Sequence, residues 1–452
     1  MRFHRTKTRT LDMTQGEPAG LILRFAVPLF IGTLFQQAYN LADTMVVGRE
    51  LGGEAVAAVG ATAALYSVLI YFANGLNSGY GIMISRMFGS KNVDGLRKAA
   101  AAMVVLDAVI TLALTALSLS LLSHLLACLD TPQDIFEQAY TYIFIILAGM
   151  PATIGYNMGA GFMRAVGNSW TPLYFLIFSC GLNISLDFLF VIGLGLGVSG
   201  AAIATVIAET VSALLCFVYI YKTYPEFLPR KGDWRLKREL IREMLSTGLA
   251  MGLMQSVFSL GTIILQRGIN HLGTRIITAH TASQRINEML MMPLGMIATA
   301  NATFVGQNFG AGQYERIKKA VRQVLGMELM WSAAAVLAAW TAGPFLIGML
   351  IGAEDMEIIR NGLLNLRFAT GFYFPLGILL VLRNALQPMG CKAPPVVSSS
   401  IELLIKVVFS FWLIPRLNYL GVAMTEPIIW VVCAGFMGIV YVNFCRRCFS
   451  KG

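Results

Sequence analysis

Apolar residues fill this chain in long runs separated by short polar stretches. Twelve runs are near or above the roughly 20 residues that a helix needs to cross hydrocarbon. They cover about residues 22–47, 55–85, 99–125, 136–160, 170–192, 199–222, 241–267, 276–306, 320–343, 356–382, 394–415 and 421–444. Some are long enough to require tilt or a kink. A backbone in lipid must satisfy its own hydrogen bonds, so each run reads as a helix. The period-2 pattern of an outer-membrane barrel is absent. The pattern therefore predicts an all-α polytopic membrane protein of twelve transmembrane helices in a lipid bilayer.

Composition agrees with that reading. Of 452 residues, 56% are hydrophobic and 13% charged, against about 25% charged in soluble domains. The net charge of +10 matters through where it falls. Basic residues cluster at Arg2–Arg9, Arg86–Lys98, Arg164, Lys222–Arg242, Arg316–Arg322, Lys392 and Arg446–Lys451, which are alternate loops. The loops between them are short or acidic, with Asp130, Asp134 and Glu137, then Glu354, Asp355 and Glu357. This is the positive-inside pattern. It places both termini in the cytoplasm, and it explains the basic excess without a nucleic-acid partner. The polar start shows no cleavable signal sequence. Seven scattered cysteines make no disulfide framework. Cys445 and Cys448 form a CxxC whose role the sequence leaves open, and no further zinc ligands accompany it.

The chain also repeats itself. "FGSKNVDGLRKAAA" at Phe88 matches "FGAGQYERIKKAVR" at Phe309, 221 residues on. The same offset takes Leu51-Gly52 to Leu272-Gly273, Asp107 to Glu328 and Gly200 to Gly421. Each half thus holds six helices. Six is even, so the halves share one orientation, and a pseudo-two-fold axis along the membrane normal relates two six-helix bundles. The expected domains are an N-terminal lobe at 13–222, a cytoplasmic connector at 223–240 and a C-terminal lobe at 241–445. Two lobes that rock against each other are a transporter architecture.

"VPLFIGTLFQQAYNLADTMVVGRELG", "FVGQNFGAGQYERIKKA" and the N-x-x-x-D of the fifth helix, in this order on twelve helices, resemble the multidrug and toxic compound extrusion (MATE) family over nearly the whole chain. The resemblance implies a secondary transporter of a bacterial-type inner membrane that exports organic, often cationic and amphipathic, compounds in exchange for Na⁺ or H⁺. It implies two bundles around a V-shaped cavity. It also implies that Asp43, Asn183, Asp187 and Thr205 line a cation site in the N-terminal lobe, and that Pro28 lies where the first helix can bend.

The chemistry of those residues is consistent with that role. Asn183 and Asp187 are one turn apart in a segment that is otherwise apolar. A carboxylate at mid-membrane costs at least about 2.5–3.5 kcal/mol, so it needs a partner or water. With Asp43 and Thr205 the set offers only hard oxygen ligands, which suit Na⁺ or a shared proton and not softer metals. The plainer reading is helix-to-helix hydrogen bonding, but such contacts average about 0.6 kcal/mol in membranes, little reason to bury a carboxylate. No transition metal and no organic cofactor is expected, and the coupling ion is Na⁺ or H⁺.

The C-terminal half departs from this pattern. Lys406 stands at roughly the place of Asn183, aligned through Gly167–Gly390 and Pro172–Pro395, and Glu426 at that of Thr205. Lys406 is expected to pair with Glu426, or with Glu402 one turn away on its own helix. The C-terminal lobe would then be passive and line the substrate path. Arg285 and Glu288 are a turn apart and are expected to pair. Asp107 and Glu328 are expected to pair with cytoplasmic basic residues, and Glu209 and Arg367 have no partner that sequence identifies. An adaptable, mostly apolar cavity would draw on Met291 and Met292, on Gln36, Gln255 and Gln266, and on Arg285.

The alternative function is a flippase for lipid-linked oligosaccharide or peptidoglycan precursor. That cargo calls for cationic side chains to meet pyrophosphate, and few basic residues lie inside the spans: Arg285, Arg367 and Lys406. An enzyme is not expected, because the four histidines form no catalytic motif. The expected partners are a small organic substrate and a monovalent cation, with the protein working as a monomer.

Overall fold

The computed structural model describes residues 10–129, 131–351 and 355–449, the side chains of the last two excepted. The basic cluster at Arg2–Arg9, together with Asp130, Glu354, Lys451 and the Cys448 thiol, lies outside the described residues. The first half comprises α1 (Pro18–Leu51), α2 (Gly53–Gly89), α3 (Val93–Ser120), α4 (Leu122–Cys128), α5 (Phe136–Ala148), α6 (Met150–Ala165), α7 (Trp170–Asp187) and α8 (Gly197–Thr223). The second comprises α9 (Arg238–Asn270), α10 (Thr274–Gly310), α11 (Tyr314–Thr341), α12 (Gly343–Ile351), α13 (Met356–Gly371), α14 (Tyr373–Leu386), α15 (Ala393–Val408), α16 (Ile414–Leu417) and α17 (Tyr419–Phe449).

Ten of these helices, some with a short continuation, are long and apolar enough to span by themselves. The pairs α5–α6 and α13–α14 supply two more spans, bent by 43° and 49°. The total is the twelve that hydrophobicity predicts. At the first bend Gly149 is required by packing: a Cβ there would run into the side chain of Val206 on α8. Pro151 follows in the first turn of α6, where its missing N–H costs nothing.

The repeat reaches the backbone. Left-handed residues recur at matching turns: Gly52 (φ 84°) and Gly273 (φ 92°), Lys91 (φ 56°) and Gly312 (φ 70°), Gly167 (φ 92°) and Gly390 (φ 96°), Gly197 (φ 61°) and Asn418 (φ 51°). Both halves also carry a π-helical turn at the same place, Phe188–Gly193 after α7 and Phe409–Leu413 after α15.

The described chain divides into two compact units. Unit 1 is Met1–Asp12 with Val27–Gly252, and unit 2 is Met13–Ala26 with Leu253–Gly452. These bounds differ from the lobes expected at 13–222 and 241–445 in two places. Residues 13–26 belong to unit 2 because they are tied there. The Met13 N–H donates to Gln307 Oε1 (3.0 Å), Arg316 donates to the carbonyl of Gly16 (2.8 Å), and Lys319 pairs with Glu17 (2.8 Å). The connector and the start of α9 belong to unit 1. Tyr224 and Phe227 enter its core with Tyr80, Met103 and Phe162, and Asp233 pairs with Arg97 at 3.4 Å.

Candidate functional site: a cluster of oxygens in unit 1

Three helices of unit 1 carry the expected cation ligands. α1 runs without a break through the buried Pro28 and brings Tyr39 and Asp43. α7 ends at Asp187, immediately before the π-helical turn, and α8 brings Thr205. A π turn inserts one residue and re-aims what flanks it, and such turns recur at functional sites.

Asp187 is 0% and Asn183 1% exposed. Asn183 Nδ2 donates to Thr205 Oγ1 at 3.3 Å, and the Thr205 hydroxyl donates to the carbonyl of Ala201 at 3.1 Å. Thr205 and the Tyr39 hydroxyl lie 3.5 Å apart. Asp43 and Asp187 are close enough for their charges to interact, and Tyr142 lies within electrostatic reach of both. Both oxygens of Asp187, Oδ1 of Asn183 and Oδ1 of Asp43 are buried without a hydrogen-bond partner among the described residues. A buried carboxylate left so costs several kcal/mol unless a cation or proton meets it. The donor set, all oxygen and carrying at most two negative charges, fits Na⁺ or a proton.

Thr205 and Asn183 also line a small cavity of about 20 Å³, together with Gln36, Tyr39, Ser179 and Glu209. One water needs roughly 10–15 Å³, so the cavity admits one occupant of that size. Sequence reasoning did not reach Tyr39, although it stands four residues before Asp43 on the same helix face. It also missed Tyr142, for which no local signal exists.

In unit 2 the matching helices hold a closed ionic network. Lys406, fully buried, contacts Glu426 at 3.0 Å and Glu402 at 3.3 Å, so it meets both expected partners and not one of them. Arg383, absent from the expected set of intramembrane bases, completes the network. It lies 3.3 Å from Glu402 and donates to Ser398 Oγ at 2.8 Å. The ammonium of Lys406 also sits 4.7 Å from the ring centre of Phe258 on α9, and a Cβ on Gly261 would collide with its stem. Two bases and two acids leave this network neutral.

Of the other expected residues, Arg285 pairs with Glu288 at 3.5 Å on the exposed face of α10. Gln266 is exposed and donates to Asn270 at 2.9 Å, Gln36 is exposed at the cavity rim, and Gln255, Met291 and Met292 are half-buried. Arg367 stacks on Trp340 at 4.3 Å. Asp107 and Glu328 correct the expectation of basic partners. Both are buried mid-helix, neither makes an ion pair among the described residues, and Glu328 packs against Gly377. Their nearest basic neighbours in sequence, Lys98 and Arg322, stand nine (107 − 98) and six (328 − 322) residues away, which puts them on other faces of the helix.

Comparison with known proteins places these features. The family model described as MatE matches residues 28–189 and again 250–412, which restates the internal repeat. The probable multidrug resistance protein YpnP of Bacillus subtilis is 27% identical over 436 residues, covering 95% of this chain and 96% of its own. The multidrug export protein MepA of Staphylococcus aureus is 22% identical over 371 residues, covering 82% and 81%. A crystal structure described as MATE in the bent conformation superposes with a TM-score of 0.89 at 25% identity, over 97% of each chain.

Proposed function

The chain belongs to the MatE family, and we propose that it exports organic, often cationic and amphipathic, compounds by antiport with Na⁺ or H⁺. In this reading Asp43, Asn183, Asp187 and Thr205 take up the coupling ion, and the two lobes give the substrate alternating access to the two sides of the membrane. The naming of its relatives as multidrug resistance and export proteins supports the substrate class. The observation that carries the ion site is Asp187: fully buried, beside a second carboxylate, with both its carboxylate oxygens unpartnered and no base paired to it among the described residues. A proton and Na⁺ would compete for the same oxygens. Pro28 removes the hydrogen bond to the carbonyl of Arg24 and supplies the point at which α1 bends as the ion binds and leaves. The protein works as a multi-pass monomer of a bacterial inner membrane with both termini in the cytoplasm.

The unit 2 network argues against the flippase alternative. Lys406 and Arg383 are engaged with carboxylates and offer no free charge to a pyrophosphate.

The test is transport in proteoliposomes loaded with a fluorescent organic cation, under a proton gradient or a Na⁺ gradient applied separately. Wild-type protein is expected to extrude the dye under one gradient, which names the ion, and Asp187→Asn to lose that response. Dye movement indifferent to both gradients would overturn cation coupling and bring the flippase forward.

A further inference from the structure

Glu209 takes no part in the four-residue site, yet it faces the same cavity. It stands one turn beyond Thr205 on α8, about 6 Å along the axis, and lines the cavity beside Gln36, Tyr39, Ser179 and Asn183. Its carboxylate makes no hydrogen bond or ion pair among the described residues. The titratable side chains within its electrostatic reach come from five helices: Tyr39 on α1, Tyr66 on α2, Tyr156 on α6, Cys180 on α7 and Cys216 on α8 itself. All five are neutral at neutral pH; Arg164 on α6 reaches Tyr156 and Cys216 and makes no ion pair with Glu209 among the described residues. Asn183 adjoins both positions. It is 1% exposed, lines this cavity, and holds its Oδ1 unpartnered. A lone carboxylate, two amides and three hydroxyls around a space of one-water size form a binding place for a small monovalent cation.

We propose that Glu209 forms a second position for a proton or Na⁺ in the N-terminal lobe, one turn from the Asp43–Asp187 pair, and that both positions load and unload in each cycle. The inference rests on the antiport reading above and adds its charge balance. Two monovalent cations move inward for each monovalent organic cation moved out, so every cycle carries one net positive charge inward.

The experiment sets the membrane potential of proteoliposomes with K⁺ and valinomycin while the coupling gradient is held constant. For one net charge, an inside-negative step of about 60 mV is expected to raise the steady extrusion of a monovalent fluorescent cation about tenfold. Glu209→Gln is expected to retain gradient-driven extrusion and to lose the dependence on potential. Glu209→Asp, which keeps the carboxylate, is expected to restore it. Potential-dependent extrusion that persists in Glu209→Gln overturns the second position. So does wild-type extrusion indifferent to potential, a result that needs no variant to fold. Asp187→Asn separates the two readings, because loss of gradient-driven extrusion there, with Glu209→Gln indistinguishable from wild type, upholds antiport and removes Glu209 from it. Wild-type protein unresponsive to either gradient overturns both.

Discussion

Asn183 and Lys406 occupy matching turns of the two halves, and each is surrounded by carboxylates. Around Asn183 the carboxylate oxygens of Asp187 have no partner among the described residues. Around Lys406 the chain's own ammonium meets the carboxylates, at 3.0 and 3.3 Å. Removing one partner of a buried ion pair strands the other, at a cost of about 3–5 kcal/mol. Lys406→Ala is therefore expected to lower the thermal midpoint of the purified protein sharply. The double variant Lys406→Met with Glu426→Gln is expected to recover much of the loss. Thermal unfolding in detergent checks both, and a Lys406→Ala protein as stable and active as wild type would show that the network contributes nothing. At this scale the site was largely legible. Charged or amide side chains inside apolar runs stand out, so Asn183, Asp187 and Lys406 could be picked from the string alone. Arg383 lay in an equally apolar run and was passed over. Glu209 was visible, but its surroundings were not, since a cavity shared by α1, α7 and α8 has no trace in local order.

Helices meet in unit 1 through glycine. Gly75 and Gly79 form a small-xxx-small pair on α2, and Gly248 and Gly252 form another on α9. A Cβ on Gly79 would lie 2.6 Å from the Cα of Gly248, and one on Gly75 2.6 Å from the Cα of Gly252. The obstruction is backbone and cannot turn aside, which is the close crossing that such pairs permit in membranes. Gly79→Val is expected to destabilise unit 1 by about 1–3 kcal/mol, the usual cost of overpacking. A thermal scan of the detergent-solubilised protein measures it, with Gly181→Val as control, because a Cβ there meets no atom within 4 Å. The spans themselves were readable because twenty apolar residues in a row allow little else. Their bends were not. The kink before α6 depends on Val206, more than fifty residues downstream, and the two π turns follow runs no different in composition from their neighbours.

Over the whole molecule, the division into units does not follow the order of the chain. Both α1 and α9 change unit partway along, at Ala26–Val27 and Gly252–Leu253. The first segment of α1 is held in unit 2 partly by charge. Hydrogen bonds from Gln323 and then Lys319 keep the Glu17 carboxyl below its ordinary range. A depressed carboxyl stabilises the fold above its unfolded value, about 4.3, and that support fades as pH falls through the lower folded value. Deuterium uptake by residues 13–26 is expected to rise as pH drops below about 4, and Glu17→Gln is expected to flatten that rise. The sequence hid this arrangement because one end is an ordinary polar stretch and the other lies on the facing ends of α10 and α11, and only the fold brings them together.

The tether has a consequence in time. Met13 and Glu17 leave the ribosome well before their partners Gln307 and Gln323, which lie 294 and 306 residues later. At 5–20 residues per second, the start of the chain waits roughly 15–60 s for the groups that will hold it. Throughout that interval α1 is already made and its anchor does not yet exist. Synthesis of α10 and α11 thus reaches back to a segment made long before and fastens it.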